Sequence, residues 1–565
     1  MKTDEKGARY AETFKEQFTL RGIIIGCIGA AVLTMSSMYT ALKMGALPWP
    51  IIFVALASMF FLRLLGRGKH KTNLNEINVT HTVMSAGAMT AGGLSFTLPG
   101  LFMLDPTSNV SFGKILVIVL GGTILGLIFT ALIRKYFIVT NPLPFPMGQA
   151  AAETVIVGDE GGRKSGILFG SMGISGLFTV LRDALGKIPV IAPTSVAAGK
   201  AAWTTAYGST FGLYLSPMLV AVGYIIGPVA IGVWFLGALI GDPGILIAGN
   251  KLGFWDAATA AGIKSSLGIG MMVGTGIGII LKGILPKAKE IFGPMFSSKY
   301  AKDGLIDLRW APIAMVVLAV VFSTVCKMGV VASIVTILGV WLATSMSAQC
   351  VGQSGVNPME IFGIIVLLAV KALTGGTGGS GGQMALFFVA AVVAIACGLA
   401  GDVMNDFKAG SILHSDPKAQ WIGECIGGMV GVLVSVGVFY VILKAYGPKA
   451  FGDITLFPAP QAGAVAAMVG GVANVPVFWV GIVIAVILYF VNFPVMTLGL
   501  GIYLPFYMSA AAFIGGALKF IVEKAAPEYD KGGTGNIIAS GVLGGEAVVG
   551  VIIALVQAIP AMVQM

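Results

Sequence analysis

The chain is a succession of apolar runs, most of them near the roughly 20 residues that a helix needs to cross a bilayer. The first set lies near residues 22–42, 48–65, 79–104, 113–133, 166–185, 204–228, 229–249 and 263–284. A second set follows near 311–326, 329–346, 358–374, 383–400, 419–443, 460–491, 494–521 and 536–558. Only 11% of the residues are charged and 56% are hydrophobic. A soluble core cannot hide that much apolar surface, so lipid is the solvent for most of the chain. In lipid every backbone N–H and C=O needs a partner within the protein, and runs of this length meet that need as helices. The expected fold is an all-α polytopic membrane protein with about 16 transmembrane segments.

The 80 glycines are about twice the usual share. Glycine lets helices approach closely and lets a helix break, so tight packing and broken or re-entrant half-helices are expected. The clearest break is Asn141-Pro142-Leu143-Pro144-Phe145-Pro146. Prolines at alternate positions forbid a helix there, because each lacks an N–H and disfavours helical backbone in the residue before it. The small residues behind them start a new helix that carries Gln149 and Glu153. Non-helical backbone at membrane depth is tolerated only where it is buried in protein or lines a cavity. Membrane transporters bind substrate at such half-helices.

The net charge of +10 is not a nucleic-acid signal. The basic residues fall at the ends of apolar runs, where they orient a chain in its membrane. Lys2, Lys6, Arg9, Lys15 and Arg21 precede the first run, Arg63, Arg67, Lys69 and Lys71 follow the second, and Lys282 to Arg309 fill the centre. The expectation is a multi-pass protein of the plasma (cell inner) membrane with its N-terminus and central linker in the cytoplasm. Asp4, Glu5, Glu12 and Glu16 exclude a cleavable signal peptide. The five cysteines show no ligand spacing, and no cofactor or metal site is expected. His70, His81 and His414 are too scattered for His-Glu-x-x-His, so an intramembrane protease is excluded. A passive channel is the other reading of Gly-rich breaks such as Gly375 to Gly382.

The two sets of runs read as copies: a membrane repeat over 1–285, a cytoplasmic linker over 286–310 and a second membrane repeat over 311–565. Lys43-Met44-Gly45 is matched by Lys327-Met328-Gly329, Asn78 by Asn357, and Phe145-Pro146 by Phe457-Pro458-Ala459-Pro460-Gln461. Such repeats point to two related bundles with a pathway between them.

An ionised carboxylate in hydrocarbon is expensive, so each acid in a span needs a reason. Those acids are Glu76, Glu153, Glu360, Asp402, Asp406, Glu424 and Glu546. Burial favours the neutral carboxyl, which makes Glu153, Glu76, Asp402 and Glu546 candidates for carrying a proton. His81, which titrates near neutrality when unperturbed, joins them. If helical, Asp402 and Asp406 share one face and suit a cation or an amine; a hydrated loop is the alternative. A substrate zwitterion needs both an anion holder and a cation holder. Half-helix starts near 147 and 461 can serve the carboxylate, and Glu153 or Asp402 the amine. The candidate substrate-binding residues are Gln149, Glu153, Gln461, Asn357, Tyr224, Tyr503 and Asn78.

Several blocks, in order, resemble the oligopeptide transporter (OPT) family and in particular its prokaryotic branch. They are Tyr39 to Gly45, Asn75 to Thr82, the Pro-rich segment 141–153, Ser216-Pro217 with Val222 to Pro228, Ala400 to Gly410, Pro458 to Ala462 and Gly501 to Pro505. The resemblance runs from about residue 20 to 555. It implies proton-coupled import of small peptides (tri- or tetrapeptides, or glutathione-like compounds), or of metal–chelator complexes. Met147 and Gln149 depart from the Glu and Thr common at those places in prokaryotic relatives, so the family's substrate preference does not carry over. The expected partners are a small peptide or metal chelate, protons and the lipid bilayer; no nucleic acid is expected, and a homodimer is left open.

Overall fold

A computed structural model describes the chain apart from residues 1, 4–8, 46, 48–50, 67–71, 158–162, 288, 290–304, 306–309, 355–356, 377, 379–380, 454–455, 532 and 564–565. Most of the expected linker 286–310 therefore lies outside the described residues. The fold is all-α. Its few strands are two-residue pieces paired antiparallel, Lys2–Thr3 with Arg9–Tyr10 and Ile191–Ala192 with Leu213–Tyr214. Among the described residues, ten helical stretches are long and apolar enough to cross a membrane, and four apolar helices of 10–17 residues are shorter.

The helices before the linker are α1 (Leu20–Met44), α2 (Ile51–Leu65), α3 (Leu74–Ser95), α4 (Phe112–Arg134), α5 (Pro146–Val157), α6 (Arg163–Thr179), α7 (Pro217–Ile226), α8 (Pro228–Leu239) and α9 (Ala257–Ile279). After it come α10 (Trp310–Thr324), α11 (Val330–Ser354), α12 (Met359–Leu373), α13 (Gly382–Ile412), α14 (Pro417–Tyr446), α15 (Pro460–Gly470), α16 (Val475–Phe490), α17 (Val495–Tyr503), α18 (Phe506–Ala525) and α19 (Thr534–Val563). Lengths recur in order. Helices α1 and α11 each have 25 residues, α2 and α12 each have 15, and α5 and α15 have 12 and 11.

The chain forms two compact units, and each draws on both sides of the linker. One comprises Met1–Ala41, Trp49–Ser165 and Gly283–Pro448; the other comprises Leu42–Pro48, Gly166–Lys282 and Lys449–Met565. In the first unit α3, buried along its whole length, lies against α13 and α14. Glycines set how close they come. A Cβ at Gly427 of α14 would press on the Val83 carbonyl of α3, and one at Gly431 would sit 2.7 Å from Thr90 Oγ1 beside Gly87. This four-residue spacing of small residues lets two helix backbones touch where no hydrophobic force drives them together. In the second unit the same device joins α7 to α18, with Gly223 at the Ala512 carbonyl and Gly515 at that of Val220.

The helix ends follow from local chemistry. Asn73 caps α3 by accepting from Glu76 N at 2.8 Å, and Asp416 caps α14 by accepting from Lys418 N at 2.8 Å, with Pro417 in the first turn. Asp256 caps α9, and its bond from the Thr259 backbone N–H holds its carboxyl below the usual range. Directly after a short helix Pro99–Leu104, Asp105 is held down in the same way by the hydroxyls of Thr107 and Ser108.

Three features differ from the sequence reading. The run 204–228 is not one span: a short helix Ala202–Tyr207 stops at Gly208 (φ 69°), and the chain becomes helical again after Ser216-Pro217. The run 460–491 breaks at Gly471 (φ 109°), and Asn474 caps a new helix. The run 383–400 continues to Ile412, so Asp402 and Asp406 lie inside a 31-residue helix rather than in a loop. Two of the motif matches also fall at unlike places. Lys43 closes α1 whereas Lys327 (φ 56°) precedes α11, and Asn78 lies within α3 whereas Asn357 precedes α12.

If glycine sets the α3–α14 crossing, Gly427→Leu should destabilise the detergent-solubilised protein by about 1–3 kcal/mol, as overpacking does elsewhere. Gly437→Leu, where a Cβ meets nothing within 4 Å, should leave the thermal midpoint unchanged. Equal midpoints for the two variants would contradict the packing account.

Candidate functional site

The Pro-rich break forms as the sequence demands, and its geometry occurs twice. Phe145 takes left-handed backbone (φ 45°) directly before Pro146, and its N–H donates to the carbonyl of Gly352, near the end of α11, at 2.9 Å. In the second unit Ala459 (φ 38°) precedes Pro460, and its N–H donates to the carbonyl of Leu42, near the end of α1, at 2.8 Å. Each broken helix thus begins on a strained residue anchored to the closing turn of another helix. At α5, Gly148 N also donates to Asn405 Oδ1 at 3.2 Å.

Asn405 belongs to the most unusual part of the first unit. Asp402 and Asp406 lie one turn apart on α13, and Glu424 reaches them from α14. Each offers a carboxylate oxygen within 4.8 Å of the others. All three are buried, Asp406 and Glu424 at 0% exposure. From α3, the imidazole of His81, 1% exposed, brings Nδ1 to 3.5 Å from Asp406 Oδ1. Ser85, one turn further along α3, donates to Asp406 Oδ2 at 2.7 Å. Among the described residues, both oxygens of Asp402, both of Glu424, Oδ1 of Asp406 and both nitrogens of His81 have no hydrogen-bond partner. Arg134 of α4 stacks on the ring of Phe407, the residue after Asp406, at 5.0 Å.

Buried polar atoms are otherwise almost always satisfied, and closely spaced carboxylates in a low-dielectric interior repel strongly. Such a group needs compensating positive charge, as protons shared among the carboxyls or as a cation seated between them. The arrangement can therefore take up and release positive charge.

Three other buried acids, Glu76, Glu546 and Asp242, are already partnered. Glu76 accepts from Arg21 Nε at 2.7 Å and Nη2 at 2.6 Å, and from Thr19 Oγ1 at 2.6 Å. In the second unit Glu546 accepts from Arg182 Nη1 at 2.9 Å, Ser216 Oγ at 2.9 Å and Met218 N at 2.8 Å. Asp242 accepts from Lys264, Thr210 and Ser209. Carboxylates held in this way act as joints between elements.

The candidate substrate residues are spread over both units. In the first, Gln149 is exposed on α5, and the side chain of Glu153, also on α5, lies outside the described residues. Asn78 donates to Ser415 Oγ at 3.1 Å. Asn357 donates to the Cys397 carbonyl at 2.9 Å and accepts from Ser347. In the second, Gln461 donates to the Gly45 carbonyl at 2.9 Å, while its buried Oε1 has no partner. Tyr224 packs on Gly535 with Lys519 Nζ 5.8 Å from its ring centre, and Tyr503 packs against Gly268.

Asn405, and the grouping of Glu424 with the two aspartates, are not apparent in the linear chain. A signal for the grouping existed. Asp406 and Glu424 lie symmetrically about Ser415, the turn of the α13–α14 hairpin, which brings them level once the hairpin is recognised. No local signal marks Asn405, whose partner is 257 positions away.

The family described as OPT oligopeptide transporter protein matches residues 17–557. A putative oligopeptide transporter of Haemophilus influenzae is 27% identical over 602 residues, covering 92% of each chain. A probable metal-nicotianamine transporter, YSL5, of Oryza sativa subsp. japonica is 21% identical over 519 residues, covering 77% of this chain and 75% of its own. The Arabidopsis thaliana protein of the same description is 35% identical, but over only 92 residues, 14% of this chain. With nearly its whole length matched, the chain belongs to the oligopeptide transporter family.

Proposed function

We propose that the protein imports small peptides, of tri-/tetrapeptide or glutathione-like size, by proton symport, and that Asp402, Asp406, Glu424 and His81 form the site where protons are taken up and released. The observation that carries this reading is the buried, donor-poor carboxylate group. His81 and Ser85 reach it from α3, and no guanidinium or ammonium is paired to its carboxylates among the described residues. A group whose charge is compensated only by an exchangeable proton responds to the protonmotive force. Glu76 and Glu546 are read here as structural joints, because each already holds an arginine. The peptide reading is supported by the printed description of the Haemophilus relative, similar over 92% of both chains. Substrate contact is assigned to Gln149, Glu153 and Gln461 at the broken helices, with Asn78, Asn357, Tyr224 and Tyr503 supporting. The distribution of Lys and Arg supports an inner-membrane protein with a cytoplasmic N-terminus.

A membrane potential does about 2.3 kcal/mol of work per charge per 100 mV, enough for more than tenfold accumulation per proton. Proteoliposomes given an inward proton gradient should concentrate a tri- or tetrapeptide by about that factor and show only equilibration without it. Accumulation that ignores the gradient would sink proton coupling. Uptake of a metal chelate with no uptake of any peptide would instead favour the activity named for the plant relatives.

Glu424→Gln should abolish gradient-driven accumulation while peptide counterflow persists; full accumulation by this variant would remove Glu424 from the mechanism. Glu546→Gln should behave oppositely. Arg182 keeps Asp183, which accepts from its Nε at 2.7 Å and its Nη2 at 2.8 Å, so the protein should lose only about 1–3 kcal/mol, the cost of a donor left unmatched at position 546. The molecules that do fold should keep their proton dependence. A loss of coupling in Glu546→Gln at undiminished stability would move the proton site to the second unit.

A further inference from the structure

We propose that Asn405 is the positioning residue through which the charge on the Asp402–Asp406–Glu424 group sets the seating of the broken helix α5. The proposal rests on reading that group as the coupling site, though not on whether a proton or another cation neutralises it.

Asn405 occupies the same turn of α13 as both aspartates, three residues after Asp402 and directly before Asp406. That turn is held from three sides. Ser85 of α3 donates to Asp406 Oδ2 at 2.7 Å, Gln420 of α14 donates to the Asp406 carbonyl at 2.6 Å, and Gly148 N of α5 donates to Asn405 Oδ1 at 3.2 Å. The last contact is short-range because Gly148 has no side chain. A Cβ there would stand 3.0 Å from both the Asn405 carbonyl carbon and Lys408 Cβ. Asn405 is itself buried, so water does not compete for its amide oxygen.

The start of a helix leaves backbone N–H groups without intrahelical acceptors and carries partial positive charge. Helices usually satisfy those groups with their own preceding residue. Here Pro146 and the left-handed Phe145 stand at that place, and a side chain from α13 supplies the acceptor. The start of α5 is thereby tied to the turn of α13 that carries Asp402 and Asp406. While the carboxylates are charged, their mutual repulsion sets the position of that turn and of the amide oxygen it presents to Gly148. Once they are neutralised, the turn relaxes, the Asn405 bond weakens, and the strained Phe145 entry is left to hold the helix start. A change of charge on α13 thus becomes a change in how firmly the segment carrying Gln149 and Glu153 is seated.

The test is a double-variant cycle read by hydrogen exchange, which needs no transport. In the otherwise unaltered protein in bilayers, Glu424→Gln should speed exchange of the amides over 147–152 by about three- to fivefold, the size expected from weakening one hydrogen bond. Asp402→Asn serves as the second neutralising variant should Glu424→Gln fail to fold. With Asn405→Leu in place, of similar bulk but without the acceptor, the neutralising substitution should no longer change exchange. With Asn405→Gln, which keeps an amide acceptor and adds no charge, the response should return at least in part. The same three- to fivefold response in Asn405→Leu, or no response to neutralisation when Asn405 is present, would overturn the proposal. Should uptake by the unaltered protein ignore the proton gradient, the proton reading would fall while this cycle still decided the role of Asn405.

Discussion

Inside a bilayer, backbone groups that lose their helical partners cannot turn to water, and this constraint organises the molecule. At its two Pro-rich breaks the chain borrows acceptors from other helices. Phe145 borrows the Gly352 carbonyl, Ala459 borrows that of Leu42, and Gly148 borrows the amide oxygen of Asn405. The breaks are thus among the points where one helix is most firmly tied to a distant part of the chain. A transporter needs such ties, since displacement of one helix then acts directly on another.

The same solvent explains how charge is distributed. Three buried acids are each paired with a cation: Glu76 with Arg21, Glu546 with Arg182, Asp242 with Lys264. Against that background the grouping of Asp402, Asp406 and Glu424 stands apart, because three carboxylates meet with an imidazole and a single hydroxyl donor. Desolvating one such group without compensation costs several kcal/mol, and three together would be prohibitive. Exchangeable positive charge is the compensation that also provides a function. The tie from Asn405 to Gly148 links the turn that carries Asp402 and Asp406 to the helix that the Pro-rich segment starts.

Much of this was legible in the linear chain, for identifiable reasons. Apolar length gave the spans, and alternate prolines gave the breaks at 141–146 and 457–460, because a missing N–H is a local property. Acids inside apolar runs could be picked out singly. What sequence could not supply was pairing. Glu76 and Glu546 looked as eligible for proton transfer as Asp402 until Arg21 and Arg182 were seen to hold them. The break inside 460–491 was marked by Gly471, Asn474 and Pro476, but the apolar residues on either side masked it. The left-handed backbone of Phe145 and Ala459 had no signature, since neither residue type favours it; tertiary contacts impose it.

The central claim is that the α13–α14 carboxyl group exchanges protons when substrate binds. Infrared difference spectroscopy on the protein in bilayers reads this directly, because protonated carboxyls absorb apart from carboxylates. On adding a transported peptide, the unaltered protein should show a change in its protonated-carboxyl band. A variant with Asp402→Asn, Asp406→Asn and Glu424→Gln together should show none. The same carboxyl change in that variant would place the exchanging proton elsewhere and contradict the account.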